Sequence, residues 1–308
     1  MKAFRFETVD QGLCLQQVPP PSPSPGEVVV RVEAAGICHS DLHVLHGQGS
    51  GWMSKLPITL GHEVAGIVEE VGPDVVGFKI GDRVGVALLP KDADLTNVIG
   101  IGRDGGFAEK VLVPATVLVP LPEKVGFAEA TVANDSISTA YHAVITEAAI
   151  TGSTTVAIVG LGGLGLSGVR IASIEGATVL GVDIDDKKFA DATAFGAKAC
   201  FKKLDDIPSE VIIDVDALRR VRSSGMVVLV GVGVPTFELS TNTLMSRNLT
   251  LRESVGSTMA EYRKVLDLIA SGLIKPKLEE IPFLEIPNGL RRLERLEVVG
   301  RLFSRPNA

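Results

Sequence analysis

Short apolar runs separated by turn residues dominate the first third of the chain. EVVVRVEAAGI (27–37) and VAGIVEEVG (64–72) are rich in β-branched residues, which favour strands. GDRVGVAL (81–88) and FAEKVLVP (107–114) continue the pattern. Turn residues at such short intervals predict a barrel-like all-β domain. A helical stretch is predicted next, in FAEATVANDSISTAYHAVITEA (127–148).

The pattern changes near residue 153, where uninterrupted apolar runs alternate with helical or turn-like segments. The runs are TTVAIVG, ATVLGVDID, EVIIDV and MVVLVGVG. Such strands are typical of a parallel sheet covered on both faces. From about residue 276 the pattern returns to strands and turns. We therefore predict an α/β protein with a doubly wound parallel sheet at 141–275 and a β-rich domain at 1–140 and 276–308.

Residues 148–169 carry no charge over 22 positions, which is long enough for a membrane span. Glycines and small polar residues interrupt the run, so a buried strand, a tight turn and a helix start explain it better. No membrane association is predicted.

Composition excludes several function classes. The net charge is −7 and no basic block occurs, which argues against nucleic acid or an anionic membrane as partner. The three cysteines are far apart, and the first residues contain no run resembling a signal peptide. These features predict a cytoplasmic protein in a reducing compartment.

A glycine-rich motif, G-x-G-x-x-G, lies between an apolar strand and a helix start. Its glycines are Gly160, Gly162 and Gly165, and the next strand ends in Asp183, 23 residues after the first of them. In this context the motif is typical of a loop that binds a dinucleotide pyrophosphate at a helix N-terminus. Asp183 is then expected to accept hydrogen bonds from the adenosine ribose. The alternative is a plain tight turn with a surface Asp.

Cysteine and histidine, both scarce in this chain, cluster in GICHSDLHVLHG (36–47). The cluster contains Cys38, His39, His43 and His46. A further histidine, His62, follows in LGHEVAGIVEEVG. Thiolate and imidazole are good zinc ligands, and a catalytic zinc site uses three protein ligands and one open position. Cys38, His62 and a third donor are therefore candidates, although a lone Cys or His is usually just a buried side chain.

These motifs together resemble the zinc-dependent, medium-chain alcohol dehydrogenases. The resemblance runs along nearly the whole chain and is most specific in GICHSDLHVLHG, LGHEVAGIVEEVG, GDRV, STAYHA and VGLGGLG. It implies a GroES-like fold for the β-rich catalytic domain and a Rossmann fold for the NAD-binding domain. It also implies that Cys38 and His62 bind zinc, that Glu63 lies beside the metal or is an occasional ligand, and that Asp41 orients the His62 imidazole.

The chain departs from the family at the third zinc ligand, which is most often Cys, four residues before a Thr. Here that Thr is Thr139, so the ligand position holds Asp135. Some members have Asp there, and carboxylate oxygen is an acceptable zinc donor. The region 87–106 contains no Cys. Many members of the family carry four cysteines for a structural zinc ion in the corresponding region. A structural zinc site of that type is therefore excluded here, and one zinc ion per chain is predicted.

The resemblance assigns the remaining site residues. Ser40 and His43 match a proton relay, and the alternative for His43 is that it only caps or packs the local turn. His46 is interpreted as an ordinary surface or packing histidine. His39 matches a contact to cofactor phosphate, and Lys188 matches a contact to the adenosine ribose. Arg301 is predicted to contact the pyrophosphate. The full set of predicted NAD contacts is His39, Thr139, Gly160, Gly162, Gly163, Leu164, Gly165, Asp183, Lys188, Val230 and Arg301.

The predicted function is reversible hydride transfer between a primary or secondary alcohol and NAD, giving an aldehyde or ketone. The alternative is a zinc-free quinone or enoyl reductase of the same fold. A homodimer or homotetramer is expected. One connection is unusual, because only DALRRVRSSG separates EVIIDV from MVVLVG. A crossover between parallel strands needs at least about 10–12 residues, so either this crossover is shortened or the sequence lacks part of a loop.

Overall fold

A computed structural model describes residues 1–48, 53, 55–88, 97–207, 221–231 and 238–308. The chain divides into two compact units. The first unit contains Met1–Asp135 and Ser257–Ala308, and the second contains Ser136–Gly256. The domain boundaries predicted from the sequence, after residues 140 and 275, stay predictions.

Fifteen strands occur in the described residues. In chain order they are β1 (Lys2–Phe6), β2 (Leu13–Gln17), β3 (Glu27–Ile37), β4 (Ile58–Thr59), β5 (Glu63–Val71), β6 (Arg83–Val86), β7 (Lys110–Pro114), β8 (Leu118–Pro120), β9 (Thr155–Val159), β10 (Thr178–Val182), β11 (Ala199–Phe201), β12 (Met226–Val230), β13 (Thr250–Ser254), β14 (Leu278–Ile281) and β15 (Arg301–Ser304).

Eight α-helices accompany them in the same part of the chain. They are α1 (His39–Leu45), α2 (Phe127–Val132), α3 (Ser138–Tyr141), α4 (Gly163–Ile174), α5 (Phe189–Phe195), α6 (Thr241–Arg247), α7 (Met259–Ala270) and α8 (Ile286–Glu294). The predicted helical stretch 127–148 is confirmed, with an addition. Two π-helical segments, Ala133–Ile137 and His142–Glu147, interrupt it.

In the first unit, the described strands form a seven-stranded sheet in the order β14-β15-β3-β5-β6-β8, with β7 also paired to β3, and a small sheet in the order β2-β1-β4. Alternate residues of β3, such as Val30 and Val32, are fully buried in one core that also contains Leu60 and Phe107. The antiparallel register of β3 and β5 places Gly36 opposite Glu63. The end of β3 and the start of β5 therefore lie side by side.

In the second unit, β9, β10 and β11 form a parallel sheet in the order β11-β10-β9, and β12 pairs with β13 in parallel. Helix α4 connects β9 to β10, as the alternation of apolar strands and helices predicts. The predicted strand at 210–215 lies outside the described residues, as do residues 216–220 of the short connection that follows it.

Within the described part of the chain, no helix is long and apolar enough to cross a membrane. The uncharged segment 148–169 instead contains β9, a turn and the first half of α4.

Candidate active site

Four side chains with metal-binding atoms converge in the first unit. They are Cys38, His62, Glu63 and Asp135, and one donor atom from each lies within 4.8 Å of all the others. Local structure explains how they meet. Cys38 is the N-cap of α1, directly after β3. His62 directly precedes the neighbouring strand β5, and Glu63 is the first residue of that strand. Asp135 lies in the π-helical segment after α2, and π-helical turns are frequent at functional sites.

Asp135 lies close to two of the other donors. Its Oδ2 atom lies 3.3 Å from Sγ of Cys38 and 3.5 Å from Nε2 of His62. Three of the four side chains are buried, with Cys38 8%, His62 3% and Glu63 0% exposed, whereas Asp135 is half-buried. Sulfur, imidazole nitrogen and carboxylate oxygen at these separations match the donor types of a zinc site.

The carboxylate of Asp41, which is 1% exposed, supports two of these donors. Its oxygens accept hydrogen bonds from the backbone N–H of Cys38 (3.2 Å) and of Gly61 (3.3 Å). Oδ1 also lies 3.6 Å from Nδ1 of His62. This position agrees with the predicted orienting role, because a carboxylate facing Nδ1 leaves Nε2 directed toward Asp135.

The electrostatics of the cluster favour a bound cation. Burial lowers the pKa of His62, but the carboxylates of Asp41 and Asp135 outweigh it and hold the pKa well above the usual value. Burial also opposes ionisation of Asp135, yet His62 holds the pKa of that carboxyl below its usual range. The same carboxylates that hold a proton on His62 would attract a metal ion, and a metal ion bound there would displace that proton.

Glu63 is held beside this cluster by a close fit. A Cβ atom at Gly36 would lie 1.9 Å from Oε2 of Glu63, so only glycine leaves room for the carboxylate. This Oε2 atom is buried and has no hydrogen-bond partner in the described part of the chain. Burial raises the pKa of Glu63 well above its usual value, although Arg301 acts in the opposite direction. An unpaired carboxylate oxygen beside three donors fits an additional metal ligand.

Arg301 belongs to the surroundings of this cluster. Its guanidinium Nη2 donates to Oε1 of Glu63, and strand pairing explains the contact because Leu302 lies opposite Ile37, next to Cys38. Burial lowers the pKa of Arg301, but Glu63, Cys38 and Asp135 outweigh it and raise the pKa above the usual value. Sequence reasoning missed this ion pair. The predicted pyrophosphate contact of Arg301 stays a prediction.

The two residues of the predicted proton relay lie on α1, three positions apart and therefore on one face of the helix. Ser40 Oγ lies 3.7 Å from Sγ of Cys38. His43 Nδ1 lies 2.7 Å from Oε1 of Gln48. An amide oxygen only accepts, so Nδ1 donates and Nε2 is the nitrogen that can take up a proton.

The other two histidines of segment 36–47, His39 and His46, are more exposed than His43. His46 is exposed, and its Nε2 pairs with Glu294 of α8 at 3.1 Å. This agrees with its interpretation as a surface or packing residue. His39 is also exposed, but its ring is partly covered, and this partial burial lowers its pKa, as do the neighbouring Arg301 and His43.

The glycine-rich loop of the second unit has the local geometry that the motif predicts. Gly160 follows β9 with φ +84, a conformation that side chains disfavour. Gly162 is the N-cap of α4, whose first residues include Gly163 and Leu164. A Cβ atom on Gly165 would lie 1.7 Å from the carbonyl oxygen of Gly160, so glycine is required where the helix crosses the turn.

Asp183, at the end of β10, is already surrounded by donors. Its carboxylate accepts hydrogen bonds from the backbone N–H of Leu161 (2.7 Å) and Asp185 (2.9 Å), and from Nζ of Lys188 (2.9 and 3.1 Å). Burial raises the pKa of Asp183, but these bonds lower it below the usual value. Asp183 is thus a carboxylate with a partly neutralising lysine beside it.

Two further predicted NAD contacts are Thr139, which lies in α3, and Val230, which is the last residue of β12.

Comparison with known proteins identifies the family. The model of the alcohol dehydrogenase GroES-like domain matches residues 24–123. An alcohol dehydrogenase of Geobacillus stearothermophilus is 30% identical over 341 aligned positions, which cover 98% of each chain. The chain belongs to the medium-chain alcohol dehydrogenase family. The family, the fold class and the alcohol dehydrogenase reaction class predicted from the sequence are thereby confirmed.

Two further proteins that are similar to this chain are named as reductases. The solved structure of acetophenone reductase from Geotrichum candidum in complex with NAD superposes with a TM-score of 0.88, at 30% identity, over 99% of this chain and 96% of the other. Acryloyl-coenzyme A reductase of Sulfurisphaera tokodaii is 29% identical over 99% of this chain and 100% of its own length. The family therefore includes relatives named for more than one reduction.

Proposed function

We propose that this chain is an NAD-dependent alcohol dehydrogenase whose metal is held by Cys38, His62 and Asp135, with Glu63 as an additional or alternating ligand. The observation that carries the proposal is the convergence of these four donor atoms within 4.8 Å in a buried position. Zinc bound there would supply Lewis acidity and NAD would supply the hydride acceptor. The substrate class is a primary or secondary alcohol, and the products are an aldehyde or ketone.

The chain's own residues would hold and move the proton that the alcohol loses. Ser40 has a hydroxyl close to the cluster and can both accept and donate a hydrogen bond. His43 stands one turn further along α1, and its Nε2 atom can accept the proton while Gln48 holds Nδ1–H. Imidazole is the usual side chain for such a transfer near neutral pH.

The second unit would hold NAD through the loop at Gly160 and the N-terminus of α4. An N-terminal turn of a helix offers free backbone N–H groups to a pyrophosphate. Asp183 would receive the ribose hydroxyls, with Lys188 beside them. We further propose one zinc ion per chain, a homodimer or homotetramer, and a cytoplasmic location.

The second candidate is an enoyl reductase that needs no metal, and the similarity to acryloyl-coenzyme A reductase favours it. A metal-free enzyme has no evident use for a thiol, an imidazole and two carboxyl groups whose donor atoms lie within 4.8 Å of one another. Burying several ionisable groups together is costly, and a metal ion would offset part of that cost. Metal analysis together with assays on alcohols and enoyl thioesters separates the two candidates.

The enzyme should prefer NAD to NADP by at least ~10-fold in kcat/KM, because the Asp183 carboxylate repels a 2′-phosphate. Asp183→Ser should reduce this preference at least ~10-fold, since it removes the charge and leaves Lys188 available to the phosphate. Initial rates with both cofactors at one alcohol concentration measure the effect. Asp185→Ser is the matched control, because that carboxylate caps Lys187 instead. An enzyme that works better with NADP contradicts the assignment of Asp183.

A further inference from the structure

Asn134 occupies an unusual position directly before the metal-binding candidate Asp135. It is 1% exposed and lies in the same π-helical segment. Its amide nitrogen Nδ2 is 2.6 Å from the carbonyl oxygen of Val86 and 3.2 Å from that of His62. Both neighbours are acceptors, so the NH2 group must face them, and each of its two hydrogens has one partner.

These two bonds join the segment of Asp135 to the strands beneath it. Val86 is the last residue of β6, and His62 directly precedes β5. The two strands are themselves paired there, with Val64 opposite Val86. One side chain therefore fixes the backbone of Asp135 against the backbone of His62.

Core stability does not explain this amide. Its oxygen Oδ1 is buried and has no hydrogen-bond partner among the residues that the structure describes. Burying a polar atom without a partner is unfavourable, and an apolar side chain of similar size would avoid that penalty. The position therefore calls for the two donors of the NH2 group rather than for a buried polar residue in general.

The path of the chain explains why Asp135 needs such an anchor. Asp135 is the last residue of the first compact unit, and Ser136 is the first residue of the second. The other three donor residues all belong to the first unit. Asp135 must keep its distance to them at the very point where the chain leaves that unit.

We propose that Asn134 is a positioning residue of the metal site, which sets the separation between the Asp135 carboxylate and the His62 imidazole. This inference rests on the proposed function, because it takes the four convergent side chains as a metal site. Residues that hold metal ligands in place typically contribute about 10- to 100-fold to metal affinity.

The test compares Asn134→Leu with the wild-type full-length protein, both freed of metal and titrated with Co²⁺ and Zn²⁺. Leu has a similar size and no hydrogen-bond donor. Dissociation constants come from competition with a chelator, and the visible absorption of bound Co²⁺ reports the arrangement of the donor atoms. Asn134→Ser provides a second variant if the first does not fold. The serine hydroxyl has one hydrogen, so it does not donate to both the Val86 and the His62 carbonyl oxygens as the amide does.

Tyr262→Phe is the matched control, because it removes a different buried hydrogen bond to the same helical region, from the Tyr262 hydroxyl to the Ala130 carbonyl at 2.9 Å. We expect Asn134→Leu to weaken Co²⁺ and Zn²⁺ binding ~10- to 100-fold and to shift the Co²⁺ spectrum. Tyr262→Phe should lower the thermal unfolding midpoint and leave metal binding within ~3-fold, since it touches no residue next to a donor.

Equal metal affinities and spectra in the wild type and in folded Asn134 variants would overturn the inference. Equal losses in the Asn134 variants and in Tyr262→Phe would overturn it too, since the effect would then follow stability alone. If the wild type itself binds neither ion, the proposed function fails together with it.

Discussion

Replacing Asp135 by Asn should lower alcohol oxidation by ~10³-fold or more. The Oδ2 atom of Asp135 lies within 3.5 Å of both the Cys38 sulfur and the His62 imidazole. Asn keeps the shape of the side chain and removes its negative charge, so the site loses one of its anionic donors. Metal ions contribute several kcal/mol to catalysis, and each ~1.4 kcal/mol is a factor of ten in rate. NADH formation and metal content, measured on the same samples, check this result.

Asp135→Cys is the matched control for this prediction. Thiolate is a better zinc donor than an amide oxygen, and Cys at this position corresponds to the ligand most frequent in the family. The Cys variant should therefore retain zinc and remain within ~10-fold of wild-type activity, an order-of-magnitude allowance for its altered geometry. An Asn variant that keeps its metal and most of its activity would contradict the role of Asp135.

Replacing His43 by Gln should lower alcohol oxidation by ~10- to 100-fold near neutral pH, within the range typical of general acid–base catalysis. Gln is similar in size and still forms hydrogen bonds, but it does not take up a proton. Raising the pH or adding imidazole as an external base should restore part of the rate. Zinc content should not change, because His43 is not among the four convergent donors.

His46→Gln serves as the control for general effects of losing a histidine from this segment. His46 is exposed and pairs with Glu294 on the surface, where single ion pairs contribute little. Its replacement should leave both the rate and its pH dependence unchanged. A His43→Gln enzyme with wild-type kcat and an unaltered pH profile would remove His43 from the proton path and leave Ser40 to act through water.

Much of the site could be predicted from local sequence. Cys38, His62 and Glu63 lie in or beside strongly patterned strands. The resemblance implies that these three residues meet at one zinc site. The resemblance also implies Asp135, which lies four residues before Thr139. The geometry of the glycine-rich loop could also be predicted, because the close packing at Gly165 depends only on a strand, a turn and a helix that are adjacent in the sequence.

Other features depend on contacts between distant segments, which no local pattern encodes. Arg301 meets Glu63 only because β15 pairs with β3, and the separation in sequence is 238 residues. The π-helical turn at Asp135 and the bonds from Asn134 to Val86 and His62 arise from the packing of α2 on the sheet. For the contact of Arg301 with Glu63, the sequence offers only an arginine at the start of the apolar segment RLF.

The central claim is a single catalytic metal held by Cys38, His62 and Asp135. Elemental analysis of the purified protein, combined with an NAD-linked alcohol assay before and after chelation, tests it most directly. We expect about one zinc ion per chain, loss of alcohol oxidation on chelation without loss of the cooperative unfolding transition, and recovery when zinc is restored. Unchanged alcohol oxidation in protein shown to contain no metal would contradict the claim, as would reduction of an enoyl thioester but of no aldehyde or ketone.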